Sequence, residues 1–316
     1  MERVWRRLGG VSPWAPALVS TGQILEDRRP MYQVLFTIPI FGGLKVFGFG
    51  VMLVVAFLSS TWLAAWRATE EHLDPDVIWD MTFWIFVFGL VGARLLYCVE
   101  YWGKDINSLW DVAQYWKGGI VYYGGIMGAT VAVLVYRHYR PFPLRPYLDV
   151  ITPSIAVGTL FGRLGCFLNG CCYGDTCDLP WAISFPKPSP PWWHHHQLAM
   201  IPSGAIRSLP VHPTQLYSAI DSLFLLLLLT AYFPLRKRDG QVMALLMMTY
   251  PISRFLIEYL RNDEGEFFAG LTISQNISVL LCLGGMLFWY SLSRRPEPLY
   301  RDTHPAIDVA KPTAAT

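Results

Sequence analysis

Leu223-Phe224-Leu225-Leu226-Leu227-Leu228-Leu229 is apolar on every side of a helix. A helix on the surface of a soluble domain keeps a polar face for water, so such a run belongs in a large core or in lipid. The remainder of the chain decides between the two. Of 316 residues, 53% are hydrophobic and only 15% are charged, and about 20 apolar residues suffice to cross a bilayer. Seven runs of this kind lie near 44–66, 78–101, 119–136, 148–168, 214–234, 241–260 and 272–292, the fourth and sixth carrying internal charges. The chain therefore reads as an all-α, polytopic membrane protein of about seven transmembrane helices.

Loop cations set the expected orientation. Alternate connections hold Arg67, then Arg137, Arg140 and Arg145, then Arg236, Lys237 and Arg238, and the tail adds Arg294, Arg295, Arg301 and Lys311. The opposite connections hold fewer: Lys104, Lys117, Lys187, Arg207 and Arg261. The C-terminus is then cytoplasmic and, with seven spans, the N-terminus is outside, although Arg3, Arg6, Arg7, Arg28 and Arg29 pull the other way. One compact membrane domain over 31–295 is expected. Residues 1–30 form a polar lead in which Pro13 and Pro16 interrupt any signal-like apolar core. The segment 175–211 is too polar and proline-rich to span, so it is expected as an extracytoplasmic loop or small cap. Residues 296–316, with Pro296, Pro298, Pro305 and Pro312, read as a disordered cytoplasmic tail. A net charge of +2 with no aromatic-interleaved basic patch excludes a nucleic-acid partner from the expectations. Walker, G-x-S-x-G and H-E-x-x-H motifs are absent.

Within that topology the unusual residues gather at one depth, near the outer leaflet. The fourth run ends in Phe161-Gly162-Arg163-Leu164-Gly165-Cys166-Phe167-Leu168-Asn169-Gly170-Cys171-Cys172-Tyr173-Gly174. An arginine at membrane depth is costly and is paired, wetted or functional; Arg163 has no acidic neighbour in sequence, which favours a ligand. The third run opens with Tyr122-Tyr123-Gly124-Gly125, the fifth is preceded by His212-Pro213-Thr214-Gln215, and Arg94 lies late in the second. Arg254, Glu258 and Arg261 in the sixth are spaced four and three apart and share a helix face. A carboxylate between two guanidiniums neutralises one and leaves the other for an anion, with a purely structural ion-pair network as the alternative. Arg94 reads as structural, His212 as a polar cap or a catalytic group, and Gly124 with Gly128 as close helix packing or ligand approach. Guanidinium suits bidentate phosphate contacts.

Cys166, Cys171, Cys172 and Cys177 crowd one stretch, followed by His194, His195 and His196. Their gaps lack the C-x-x-C pairs of structural zinc sites, so no metal is expected. Outside the cytoplasm, a disulfide joining Cys171 or Cys172 to Cys177 is an alternative.

These motifs resemble those of the prolipoprotein diacylglyceryl transferases, enzymes of the bacterial inner membrane. The resemblance rests on Gly124-Gly125-Ile126-Met127-Gly128, Asp149, Gly162-Arg163-Leu164-Gly165-x-Phe167-x-Asn169-Gly170 through Gly174, His212-Pro213-Thr214-Gln215-Leu216-Tyr217, and Arg254-x-x-x-Glu258-x-x-Arg261, over about residues 40–292. It implies a seven-span fold with the N-terminus outside and the active site toward the outer leaflet. It also implies transfer of the diacylglyceryl group of phosphatidylglycerol to the lipobox cysteine thiol of a prolipoprotein, forming a thioether and releasing glycerol phosphate, without a cofactor. By that likeness Arg163, Arg254 and Tyr123 are catalytic, and Arg163, Gly124, Gly125, Asn169, Gly174, His212, Gln215, Glu258 and Arg261 bind substrate. The chain departs from the family at Tyr123, where a histidine is usual, at Phe47 for a tyrosine, at Cys166 and Cys171 for asparagine and glutamate, and at Ser218 for an acidic residue. An unperturbed tyrosine, with a pKa near 10, is a poor base at neutral pH, so these departures bear on proton transfer more than on lipid binding. The alternatives are a paralogue using another acceptor and a non-catalytic Cys/His metal or redox protein of the membrane.

Overall fold

The computed structural model describes residues 33–39, 44–103, 106, 108–114, 119, 121–261, 268–294 and 297–305. The expected polar lead over 1–30 and the end of the expected tail, from 306, lie outside the described residues.

A short antiparallel hairpin of β1 (Val34–Ile38) and β2 (Leu44–Phe47) comes first. Then follow α1 (Gly48–Glu70), α2 (Pro75–Glu100), α3 (Leu109–Ala113), α4 (Tyr122–Tyr139), α5 (Leu144–Asn169), α6 (Pro190–Gln197), α7 (Thr214–Tyr232), α8 (Gln241–Glu258), α9 (Ile273–Ser293) and α10 (Tyr300–Thr303). The first apolar run was expected to be helical from 44, but Leu44–Phe47 pairs with β1 instead and α1 starts at Gly48. Seven of the described helices have 18 residues or more, and each overlaps one of the seven apolar runs. Five of them are long and apolar enough to cross a membrane: α1, α2, α5, α7 with the turn that follows it, and α9. Phe83, Phe86, Leu227, Leu280 and Leu287 are each more than half exposed on these helices. So many large apolar side chains facing outward are untenable in water and ordinary against lipid tails. This is a mostly helical, multi-pass membrane protein.

Contacts divide the chain into two compact units. The first holds the described residues through Ala56 with Gly158–Phe224 and Thr249–Leu283; the second holds Phe57–Val157, Leu225–Met248 and the described residues from Gly284. The divisions fall inside α1, α5, α7, α8 and α9.

In the second unit α2 and α4 meet through glycine. A Cβ on Gly124 would lie 2.3 Å from the Gly92 carbonyl oxygen, so only glycine allows these backbones to touch. Lipid tails are as apolar as leucine and give no hydrophobic drive between helices, so close backbone packing carries their association. Arg94, 2% exposed, donates to the carbonyls of Val112, Gly119, Asp111 and Gln114 and holds the loop around α3 against α2. It is structural, as its isolation in sequence suggests. The fully buried Asp149 accepts the amides of Gly240, Val242 and Met243 at 2.8, 2.9 and 3.1 Å, and so caps the exposed donors at the start of α8. Arg236 lies between Glu71 and Asp149, stacked over the Phe233 ring. Part of the segment expected to be a disordered tail is ordered. Its α10 is tied down by the Tyr300 amide, which donates to Asp239 at 2.8 Å, and by Arg301, 3.4 Å from Glu71. Proline content alone missed these long-range partners.

In the first unit, 175–211 folds around its own small core of Trp192, Ile201, Ala205 and Leu209. Ser189 caps α6, and the Trp192 indole N–H donates to the Ala205 carbonyl at 2.8 Å.

Gly124→Ala is expected to force α2 and α4 apart and to lower stability by about 1–3 kcal/mol. Gly50→Ala, with nothing within 4 Å of the added Cβ, is expected to be neutral or slightly stabilising. Thermal unfolding of both variants in detergent separates the two outcomes.

Candidate active site

The glycine motif closes α5 by reversing the chain. Gly170 has φ +75°, its amide donates to the Phe167 carbonyl at 3.1 Å, and the Cys171 amide donates to the Cys166 carbonyl at 3.1 Å. This pair of bonds is the Schellman arrangement, which satisfies carbonyls orphaned at a helix end and favours glycine at the left-handed position. Cys172 is also left-handed, at φ 60°, a conformation that costs a non-glycine residue on the order of 1–2 kcal/mol. The next segment holds it there. Thr214 Oγ1 donates to the Cys172 carbonyl and Gln215 Nε2 to the Cys171 carbonyl, each at 2.7 Å. Gly174 and Asp175 then exchange backbone bonds with His212 while Asp175 donates to the Leu260 carbonyl at 2.8 Å. A Cβ on Gly174 would meet Leu260, His212 and Thr214 at once. The glycine motif, the H-P-T-Q segment and the end of α8 are thereby laced together inside the first unit. That unit contains Arg163, Asn169, Gly174, His212, Gln215, Arg254, Glu258 and Arg261.

The arginines differ in their engagements. Arg254 pairs with Glu258 and donates to Ser274 Oγ at 2.9 Å; Glu258, 3% exposed, also accepts from Thr272 at 3.4 Å. Of the two guanidiniums flanking Glu258 in sequence, the carboxylate is seen to engage Arg254. Arg163 is half-buried and makes no ion pair or hydrogen bond to any described residue. Its field reaches Cys172. Hydrogen bonding within the cysteine group, then the charges of Arg261 and Arg163, hold the Cys172 thiol below its ordinary value against the opposing effect of burial. Positive charge thus gathers at the turn that follows α5.

Gln215 is fully buried, and its Oε1 has no hydrogen-bond partner among the described residues, which leaves an acceptor for a hydroxyl or amide donor. The Gln33 side-chain amide donates to the Asn169 carbonyl at 3.2 Å. The His212 ring shares a hydrogen bond of 3.4 Å with the Tyr217 hydroxyl, and burial lowers its pKa against the pull of Asp175, so at neutral pH it is an uncharged imidazole. Tyr123, Gly124 and Gly125 belong to the second unit, where Tyr123 is more than half exposed and Gly124 packs on Gly92. Packing, the bland reading of Gly124, is what the structure shows.

All six cysteines are free thiols, so neither Cys171 nor Cys172 is joined to Cys177. Cys166, Cys171 and Cys172 instead lie with their sulfurs all within 4.8 Å of one another, a grouping with the donor set of a metal site that their sequence gaps concealed. Thr272 and Ser274, which hold Glu258 and Arg254, had no signal in the sequence. Thr214 lay inside a recognised motif, but its bond to Cys172 is a tertiary fact.

A family profile described as prolipoprotein diacylglyceryl transferase matches residues 33–291. The phosphatidylglycerol–prolipoprotein diacylglyceryl transferase 2 of Clostridium perfringens is 30% identical over 247 residues, covering 78% of this chain and 91% of that protein. The phosphatidylglycerol–prolipoprotein diacylglyceryl transferase of Clostridium tetani is 31% identical over 255 residues, 80% of this chain and 95% of the relative. That of Rhodopirellula baltica is 39% identical over 201 residues, 62% of this chain and 40% of the relative.

The segment flanking the site should respond to acid through His195. Its Nδ1 accepts the Leu209 amide at 3.2 Å, and burial, then the neighbouring His194, push its pKa down to about 4 against Asp175. An unfolded histidine titrates near 6.5, so between those values the folded segment binds fewer protons than the unfolded one. The contribution is whole above about pH 6.5 and falls away as pH drops toward 4. Amide exchange across 192–209, corrected for its intrinsic pH dependence, should be slow at pH 7 and fast near pH 4.5. His195→Gln should flatten that profile; a flat wild-type profile rules the account out.

Proposed function

The chain belongs to the prolipoprotein diacylglyceryl transferase family, and we propose that it moves the diacylglyceryl group of phosphatidylglycerol onto the lipobox cysteine thiol of a prolipoprotein. The observation that carries the reading is Arg163. An arginine in an apolar helix is costly unless it is paired or functional. This one is half-buried, without an ion pair among the described residues, beside a turn on which Arg261 also acts. A phosphate is the ligand that such a group lacks.

In the transfer, the thiol loses its proton, because the thiolate is the nucleophile. A sulfur–carbon bond forms at the glyceryl carbon, the carbon–oxygen bond to phosphate breaks, and glycerol phosphate leaves with the electron pair. Arg163 stabilises the charge that grows on the departing phosphate. Arg254, aimed by Glu258 and Ser274, holds a second phosphate oxygen, and Arg261 adds to the field that favours thiolate. The neutral imidazole of His212 is suited to take a proton. Gln215 Oε1 accepts from the glycerol headgroup, and Asn169 and Gly174 shape the turn that receives it. Gly124 and Gly125 brace α4, and a part for Tyr123 in proton transfer is carried over solely from its position in the family's motif. The enzyme sits in the bacterial inner membrane with its C-terminus in the cytoplasm and this site toward the outer leaflet. There phosphatidylglycerol arrives laterally and the lipobox peptide from outside.

Purified protein in nanodiscs containing phosphatidylglycerol, given a lipobox peptide, should yield a peptide heavier by one diacylglyceryl group. Arg163→Ala should lower kcat/KM by about 10²–10³-fold, with partial recovery in Arg163→Lys. No product from wild type overturns the transferase reading, and an undiminished Arg163→Ala removes that residue from it. A Tyr123→Phe variant of unchanged rate removes the tyrosine from the proton transfer.

A further inference from the structure

The three-sulfur cluster is unused by this account. We infer that Cys166, Cys171 and Cys172 bind a zinc ion whose open fourth position takes the thiol of the incoming lipobox cysteine. The inference rests on the transferase reading for the identity of that thiol, and on the fold for the rest.

The cluster is built by the backbone. Cys166 lies in the last turn of α5, the left-handed Gly170 turns the chain back, and Cys171 and Cys172 return to the same spot. Thr214 and Gln215 fasten both of their carbonyls, so the position of two ligands is fixed from a second helix. The sulfurs are within 4.8 Å of one another. Zinc–sulfur bonds of about 2.3 Å in a tetrahedron place sulfurs about 3.8 Å apart, so side-chain rotation closes the remaining gap. A histidine or carboxylate to complete the set is not among the grouped residues. Three protein ligands with one position left open is the pattern of catalytic zinc sites, whereas structural sites supply four.

The chemistry of the three sulfurs agrees with this ion. Thiolates select soft or borderline metals, and a thiol that coordinates zinc gives up its proton outright. The bound substrate thiol would release its proton to the His212 imidazole and stay nucleophilic. Its sulfur then forms the carbon bond as the carbon–oxygen bond to phosphate breaks, and the uncharged thioether, a weak ligand, departs. Zinc keeps its oxidation state throughout, so no electron donor or acceptor is required.

The test uses the full chain in nanodiscs, purified with a reductant and without chelator. Elemental analysis should find about one zinc per chain, absent from Cys166→Ser and Cys172→Ser and retained in Cys177→Ser. Cobalt substituted into wild type should show thiolate charge-transfer absorption that grows by about a third on adding the lipobox peptide, as three sulfurs become four. A peptide with serine in place of the cysteine should leave it unchanged. Because the cobalt reading uses wild type alone, a misfolded variant does not decide the matter. Stripping zinc should slow thioether formation about 100-fold, with recovery on returning zinc. Full transfer by metal-free protein overturns the inference and leaves the transferase reading standing, as does a cobalt spectrum indifferent to the peptide. A peptide-dependent spectrum without any thioether supports the thiol site and overturns the transferase reading.

Discussion

The site depends on how a membrane helix is allowed to end. Unpaired backbone groups are costly wherever water is scarce, so the last carbonyls of α5 need partners at once. The left-handed Gly170 supplies them by folding the chain back, and the same reversal sets Cys171 and Cys172 above Cys166. Thr214 and Gln215 take the carbonyls that the reversal exposes, and Gly174 admits His212 and Leu260 to close contact. One helix stop thereby assembles three segments that are far apart in sequence.

Arginine is the second theme, and the same side chain serves opposite ends. Arg94 is satisfied by four carbonyls of one loop, and Arg236 by Glu71 and Asp149. Removing a partner from such a buried pair costs about 3–5 kcal/mol, because a charge is left without compensation. These residues hold the second unit together. Arg254 is oriented by Glu258 and Ser274. Arg163 differs from all three, for its charge meets no described counter-charge and its field acts on the Cys172 thiol instead. A cation held in an apolar helix without a counter-charge is a cost to folding.

Departures from the family's motif take on physical meaning in this setting. Against the pattern that the resemblance implies, Cys166, Cys171 and Cys172 give the turn a soft, sulfur-lined surface. An imidazole, that of His212, lies in the first unit with them.

Much of this was legible in one dimension. Apolar runs located the seven long helices among the described residues to within a few residues, and for the five that are long and apolar enough to cross a membrane the reason is that lipid demands an uninterrupted apolar length, which composition displays directly. The glycine motif, the H-P-T-Q segment and the R-x-x-x-E-x-x-R face were visible for the same kind of reason, since local spacing is what a helix or a tight turn reads. The strand at Leu44–Phe47, the ordered α10 and the small core within 175–211 were not, for each is held by partners many residues away. Nor does spacing say that Glu258 pairs with Arg254, or that sulfurs separated by a helix end converge within 4.8 Å. Sequence determined where the chain crosses lipid and which reactive side chains it carries there. Tertiary structure alone decided which of those side chains are already satisfied, because pairing depends on distances that close only when separate helices pack.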